Sequence, residues 1–186
     1  MELAGVEISQ TSAEISQKKG FNAMVYDGYK LPFDNNSVDV VGSINVLEHT
    51  DDTESFLNEI FRVLKPDGIF VLVCPNFLSI TNSYHAHTAG FPQKIKNLCQ
   101  IISKFLTPGY EFERMATTER EDFHADDDAC VVTNPIDIKK WAKSHNMSEL
   151  YWSSKTTYGS GIAEKLDVSF LRYFFGSSAF VFKKSK

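Results

Sequence analysis

The 186-residue chain is predicted to fold as a single α/β domain built on a parallel sheet, and two stretches carry that expectation. In residues 37–76 an apolar run, an amphipathic stretch at the helical period and a second apolar run follow as strand, helix and strand, a β-α-β unit. In residues 3–25 two shorter strand-like runs flank another helix-like stretch. A hydrophobic fraction of 42% over this length supplies one substantial core and makes a second domain unexpected.

In order, Leu3 to Ile8 read as the end of a strand, and Ser9 as the cap of a helix over 10–19 that closes at Lys18-Lys19-Gly20. An acidic side chain at the end of a parallel strand stands at the carboxyl edge of the sheet, where open α/β proteins bind ligands. Glu7 there either accepts both hydroxyl hydrogens of a ribose or is an ordinary exposed glutamate. Phe21 to Val25 form the next strand, ending in Tyr26-Asp27-Gly28, and Leu31-Pro32-Phe33 with Asp34 to Ser37 form a loop and turn. Asp27 either accepts from an exocyclic amine such as that of adenine, with Leu31 and Phe33 as an apolar wall, or closes an Asx turn beside two core anchors.

The run Val38 to Gly42 suits a strand covered on both faces, and it leads into Ser43-Ile44-Asn45-Val46-Leu47-Glu48-His49. Asp51, with Glu54 three residues on, is the expected cap of a helix whose stripe is Phe56, Leu57, Ile60, Phe61 and Leu64. Lys65-Pro66-Asp67-Gly68 ends it, the glycine being free to take positive φ, and Ile69 to Cys74 form the second strand. Farther on, Phe91, Ile95, Leu98, Ile102 and Phe105 recur at about the helical period until Pro108-Gly109. Residues 111–128 hold eight acidic side chains with Arg114 and Arg120, the pattern of a solvated loop. His124 with Asp126, Asp127 and Asp128 lacks the regular spacing of a hard-cation site, and no metal is expected. Asn134-Pro135 is a cap and first-turn proline for a helix with Ile138, Trp141 and Ala142 inward and its end at His145-Asn146. Leu150 to Ser153 and Ser178 to Phe182 read as the last strands, joined by a Gly/Ser-rich connection over 154–164, and Lys183 to Lys186 as a solvated tail.

Nineteen basic against 24 acidic residues, a net charge of −5, argue against a nucleic-acid partner. No apolar stretch approaches the roughly 20 residues of a membrane span. Cys74, Cys99 and Cys130 form no CxxC pair and read as reduced core thiols, so a cytoplasmic protein is expected.

Gly5-Val6-Glu7-Ile8-Ser9, Asp27, Leu31-Pro32-Phe33, Ser37-Val38-Asp39-Val40-Val41, Val46-Leu47-Glu48-His49 and Arg62-Val63-Leu64-Lys65-Pro66-Asp67-Gly68, in that order and spacing, carry a resemblance. Together they resemble the class I S-adenosylmethionine-dependent methyltransferases, and among them the type 11 group that includes ubiquinone-biosynthesis and related small-molecule enzymes. The resemblance implies a Rossmann-like methyltransferase sheet with the last strand antiparallel, S-adenosylmethionine as cofactor and a small-molecule acceptor. It places Glu7 on the ribose, Asp27 on the adenine amine with Gly28 and Leu31 beside it, and Ser43 and Asn45 in the loop lining the cofactor site. It also implies one domain over 1–186 with a helical and acidic insertion at about 77–128, whose helix either lids the site or packs on the sheet.

Family members begin with a strand and a glycine-rich loop of the pattern acidic-x-Gly-x-Gly-x-Gly, and only six residues precede Glu7 here. The resemblance therefore implies an amino-terminally truncated copy, with that strand and loop absent unless a partner or a missing segment supplies them. Methyl transfer from a sulfonium needs mainly placement, plus a base where the nucleophile carries a proton. His49, after a strand's carboxyl end and beside Glu48, is the candidate base, or it and Glu48 merely cap the helix-entry loop. In metal-assisted relatives a glutamate stands where this chain has Asn45, which offers no charge. Tyr84, His85, His87, Phe91 and Tyr110 lie in segments suited to an acceptor pocket. The alternative function is a non-catalytic remnant or scaffold; a dinucleotide binder would explain Glu7 but not Asp27 with Leu31-Pro32-Phe33.

Overall fold

The structure, a computed structural model, describes residues 2–80, 90–117, 127–154, 170–174 and 176–186. The amino-terminal elements form where their local signals place them. β1 (Gly5–Glu7) leads into α1 (Gln10–Lys18), capped by Ser9, whose side chain accepts from Ser12 N, and β2 (Ala23–Val25) returns parallel to β1 with Glu7 opposite Val25. β3 (Val38–Ile44), α2 (Thr53–Val63) and β4 (Leu64–Cys74) form the central unit, with β3 and β4 parallel across the helical crossover. α3 (Phe91–Leu106), α4 (Pro135–Ser144), β5 (Met147–Ser153) and β6 (Ser178–Lys184) follow. β6 lies between β4 and β5 and is antiparallel to both, as expected for the last strand.

The strands form a parallel pair, β1-β2, and a four-stranded sheet ordered β3-β4-β6-β5. Among the described residues, β1 pairs only with β2 and β3 only with β4, so each presents one open edge. The core lies on one face of the larger sheet. Phe70, Leu72 and Cys74 alternate along β4 and meet Phe182, Phe180 and Ser178 of β6 in register, because period-2 alternation sends every second side chain to the same face. Leu57, Ile60 and Val63 of α2 and Ile138, Trp141 and Ala142 of α4 close over that face. The rings of Phe180 and Phe182 stack with centroids 5.2 Å apart, and Trp152 of β5 stacks on Phe180. The opposite face is open at β3, where Val40 and Ile44 are exposed, so this strand is not covered on both faces as its apolar run suggests.

Four further expectations need correction. The cap of α2 is Asp52, which accepts from Ser55 N at 3.0 Å, whereas Asp51 stays outside and lies 3.6 Å from Arg114. At the α2–β4 junction it is Asp67 that takes φ 66°, while Gly68 is required by close approach, since a Cβ there would stand 2.8 Å from the Lys65 carbonyl oxygen. Lys183 and Lys184 extend β6 rather than forming a tail. Lys184 is buried and its Nζ donates to Asn36 Oδ1 and to the Phe61 and Leu64 carbonyls, closing the carboxyl end of α2. Cys99 is exposed on α3, unlike the buried Cys74 and Cys130.

α3 packs on α4, with Ile101 against Ile136 and Leu78. Its buried side is Asn97, Ile101 and Lys104, whereas the apolar stripe read from the sequence faces outward. Asn97 Nδ2 donates to the Phe77 and Ser79 carbonyls, and Lys104 Nζ lies 2.8 Å from Asp137 and 2.9 Å from Glu113. Burial pulls the Lys104 ammonium down, but its bonds to Asp137 and Glu113 outweigh that and leave it raised. Glu113 is thereby tied to α3, and Asp127 is buried, so the acidic run is not solvated along its whole described length. His124 and Asp126 lie outside the described residues, as do Tyr84, His85, His87 and the connection over 155–164.

Candidate functional site

Parallel pairing brings the first two predicted residues to one rim. Glu7 ends β1, Tyr26 N donates to the Glu7 carbonyl at 3.1 Å, and Asp27 follows at the end of β2. Burial raises the Tyr26 phenol, and the charges of Glu7 and Asp27 raise it further, so both carboxylates act on one ring. Each carboxylate is set by its own turn. Glu7 Oε1 accepts from Ile8 N and Ser9 N, and Asp27 Oδ1 accepts from Tyr29 N and Lys30 N at 2.9 and 2.8 Å. Those amides hold the Asp27 carboxyl below the usual carboxylate range. The Asx turn is therefore formed, and Gly28 sits in it at φ 84°, a conformation glycine adopts without strain.

Beside Asp27 opens a pocket of about 400 Å³ lined by Asp27, Lys30, Leu31, Pro32, Phe33 and Asp34. Leu31 is buried and joins the main core, so it is an anchor as well as a wall. A clamp from α2 fixes this loop. Leu31 N donates to Glu59 Oε2 at 2.9 Å, and Arg62 donates to the Leu31 and Phe33 carbonyls and to Asn35 Oδ1 while paired with Glu59 at 2.7 Å. Arg62 keeps the Glu59 carboxyl below its ordinary range, with the Leu31 amide adding to the effect. A carboxyl with a lowered folded pKa contributes stability above the unfolded pKa and loses it as pH falls through the folded one. Glu59→Gln is accordingly expected to lower stability at neutral pH and to flatten the acid limb of a urea-midpoint-versus-pH curve below the ordinary glutamate range.

At the carboxyl end of β3, Ser43 is buried and its Oγ has no hydrogen-bond partner among the described residues. Asn45 takes φ 52°, and its N–H donates to the Val73 carbonyl at 2.8 Å, turning the chain off the sheet. A 3-10 turn over Leu47–His49 follows. Glu48 is buried and its carbonyl accepts from Cys130 N and Val131 N, while His49 Nδ1 lies 3.3 Å from Asp128 Oδ1 and Nε2 lies 3.9 Å from Glu48 Oε1. Burial, with the Glu48 charge second, pushes the neighbouring Cys74 thiol well up, which keeps it protonated. No group of three metal-ligating side chains occurs among the described residues.

The structure thus gathers Glu7, Asp27, Gly28 and Leu31 on the β1-β2 rim, and Ser43, Asn45 and His49 at the end of β3. The Glu59–Arg62 clamp and Asp128 were not foreseen. The clamp had a legible signal in its i, i+3 spacing of opposite charges, whereas Asp128 sits 79 positions from the histidine it faces.

An adenosine offers hydroxyl and amine donors and an apolar ring. The rim offers two carboxylates, each with one oxygen taken by its own turn, and beside Asp27 an open pocket of mixed lining, in which Leu31, Pro32 and Phe33 stand among Asp27, Lys30 and Asp34, so the residues present fit that half of S-adenosylmethionine.

Residues 1–72 match the methyltransferase domain family. A protein named "Probable S-adenosylmethionine-dependent methyltransferase" from Mycolicibacterium smegmatis is 33% identical over 84 residues, 45% of this chain and 33% of that protein. The ubiquinone/menaquinone biosynthesis C-methyltransferase UbiE of Desulfotalea psychrophila is 35% identical over 71 residues, 36% of this chain and 29% of that protein. The matched part of the chain thus spans about a third of each of these curated relatives. Among solved structures, the S-adenosylmethionine dependent methyltransferase from Mesorhizobium loti superposes with a TM-score of 0.60 at 11% identity, covering 98% of this chain and 80% of that one. The fold is the Rossmann-like fold of class I methyltransferases. The family match, over residues 1–72, is a similarity to the type 11 methyltransferase domain.

Proposed function

We propose that the chain carries the adenosine-binding rim of an S-adenosylmethionine-dependent methyltransferase acting on a small-molecule acceptor. The observation that supports this best is the pairing of Glu7 and Asp27 at the carboxyl ends of two adjacent parallel strands, with an open pocket beside Asp27 to which Leu31, Pro32 and Phe33 contribute apolar surface. In this reading Glu7 takes the ribose hydroxyls, Asp27 the adenine amine, and Leu31 the ring face. Gly28 lets the backbone turn close to the base, and Ser43 and Asn45 line the approach to the sulfur. When bound, the cofactor supplies a methyl group on a positively charged sulfur, so the chain's task is placement. His49, with Asp128 Oδ1 3.3 Å from its Nδ1, receives the acceptor's proton where there is one.

A second reading, a scaffold with an incomplete cofactor site, is favoured by the break between β1 and β3. The two readings meet if a preceding segment or a partner chain lays a strand between those edges and completes the methionine side. Calorimetric titration with adenosine and with S-adenosylmethionine separates them. Hydrogen bonds to charged groups are worth ~1.5–3 kcal/mol, so Glu7→Ala and Asp27→Ala are each expected to weaken adenosine binding by about tenfold or more. Similar affinities for the two ligands are expected for a site open on its methionine side. Much tighter binding of S-adenosylmethionine would sink the incomplete-site reading, and binding of neither would leave only the scaffold.

A further inference from the structure

The outward stripe of α3 contains none of the residues assigned above to the cofactor. Phe91 and Leu106, at the two ends of the helix, are 75% and 80% exposed, and Ile95, Leu98 and Ile102 between them are 39% to 51% exposed. At 100° per residue these five side chains share an arc roughly 80° wide, a continuous apolar face about four turns long. The helix cannot rotate to hide it. Asn97, Ile101 and Lys104 on another side are fixed by the Phe77 and Ser79 carbonyls, by Ile136 and Leu78, and by Asp137 and Glu113.

Charge decides what the face fits. In a chain of net charge −5, this helix holds Lys94, Lys96 and Lys104 and no acidic residue. Lys104 is turned inward to Asp137, whereas Lys94 and Lys96 flank the apolar arc on its two sides. A second copy of the helix would bring lysines toward lysines with no facing acid. An anionic bilayer surface accepts the apolar side chains below the headgroups and the lysines among them.

We infer that α3 docks the protein, reversibly and in the plane of the interface, on an anionic lipid surface. The helix is 16 residues long and no helix among the described residues can cross a membrane, so the contact is peripheral. It does not rest on the proposed cofactor site, since no cofactor residue lies on α3.

Sedimentation of the full chain with phosphatidylcholine vesicles, with and without phosphatidylserine, tests the inference. Binding is expected only with the anionic lipid and is expected to fall with added salt. A lysine near such a surface is worth ~1 kcal/mol, about fivefold, so Lys94→Glu with Lys96→Glu should weaken binding by more than about tenfold. Leu98→Glu with Ile102→Glu should abolish it, with the thermal midpoint in the absence of vesicles unchanged because both positions face solvent. Equal binding to neutral and anionic vesicles, no binding at all, or a dimer in light scattering that the Leu98→Glu, Ile102→Glu chain no longer forms would each overturn the inference.

Discussion

Trp141→Ala is expected to lower stability by ~3–5 kcal/mol, the usual cost of emptying a fully buried large aromatic site. The ring stands in α4 at zero exposure between α2 and the sheet, stacks on His145 with centroids 4.8 Å apart, and directs its Nε1 toward Asn58 Oδ1 at 3.4 Å. Neighbouring Leu57, Ile60, Phe70 and Phe182 belong to helices and strands held at both ends, so the space cannot readily collapse. For a chain of this length each 1 kcal/mol moves the melting temperature by roughly 2–4 °C, so a fall of about 10–15 °C is expected by calorimetry. Trp141→Phe keeps most of the volume and should cost less than half as much. Similar losses for the two variants would mean that the bond to Asn58, rather than packing, dominates the site.

Asp137→Ala is expected to cost ~3 kcal/mol and to loosen α3 in particular. Its carboxylate is buried, accepts from Asn134 Nδ2 at 2.7 Å and sits 2.8 Å from Lys104 Nζ. Removing one member of a buried pair leaves the other charge uncompensated, at ~3–5 kcal/mol, and Glu113, which stays 2.9 Å from Lys104, keeps the loss near the lower end. Lys104→Met with Asp137→Leu removes both charges and should recover most of the loss, as measured by urea unfolding. No recovery in the double variant would place the cost in the freed Asn134 amide and the α4 cap instead.

Local chemistry was the most legible part of the sequence. Ser9 and Asn134 cap their helices because short polar side chains reach amides two or three residues on, and that reach is written in the spacing. The strand–helix–strand unit was readable because two apolar runs flank a stripe at the helical period, whereas the antiparallel direction of the last strand followed only from the family resemblance, since alternation is the same in either direction. Asp51 and Asp52 were not separable, since two adjacent acids offer the same chemistry and only the backbone decides which accepts from Ser55.

Long-range pairing was illegible. Lys184 belongs to a terminal basic run, and nothing near it reveals carbonyls 120 and 123 positions away that require a donor. The α3 pattern gave a helix and an apolar stripe, but which side docks depends on Asn97 and Lys104 meeting partners from other segments. In the candidate site, Glu7 and Asp27 were readable because each is tied to the end of its own strand. Asp128 reaches His49 only through tertiary folding.

The break between β1 and β3 also shapes how the molecule opens. Among the described residues no main-chain ladder bond crosses it. The β1-α1-β2 unit is held by the Glu59–Arg62 contacts and by Val6, Tyr26 and Phe33 resting on the core. Side-chain contacts of that kind can separate without breaking either ladder. The amino-terminal amides are therefore expected to open as their own cooperative unit and to exchange with solvent ahead of β4 and β6, Glu7 and Asp27 moving with them, as hydrogen exchange would measure.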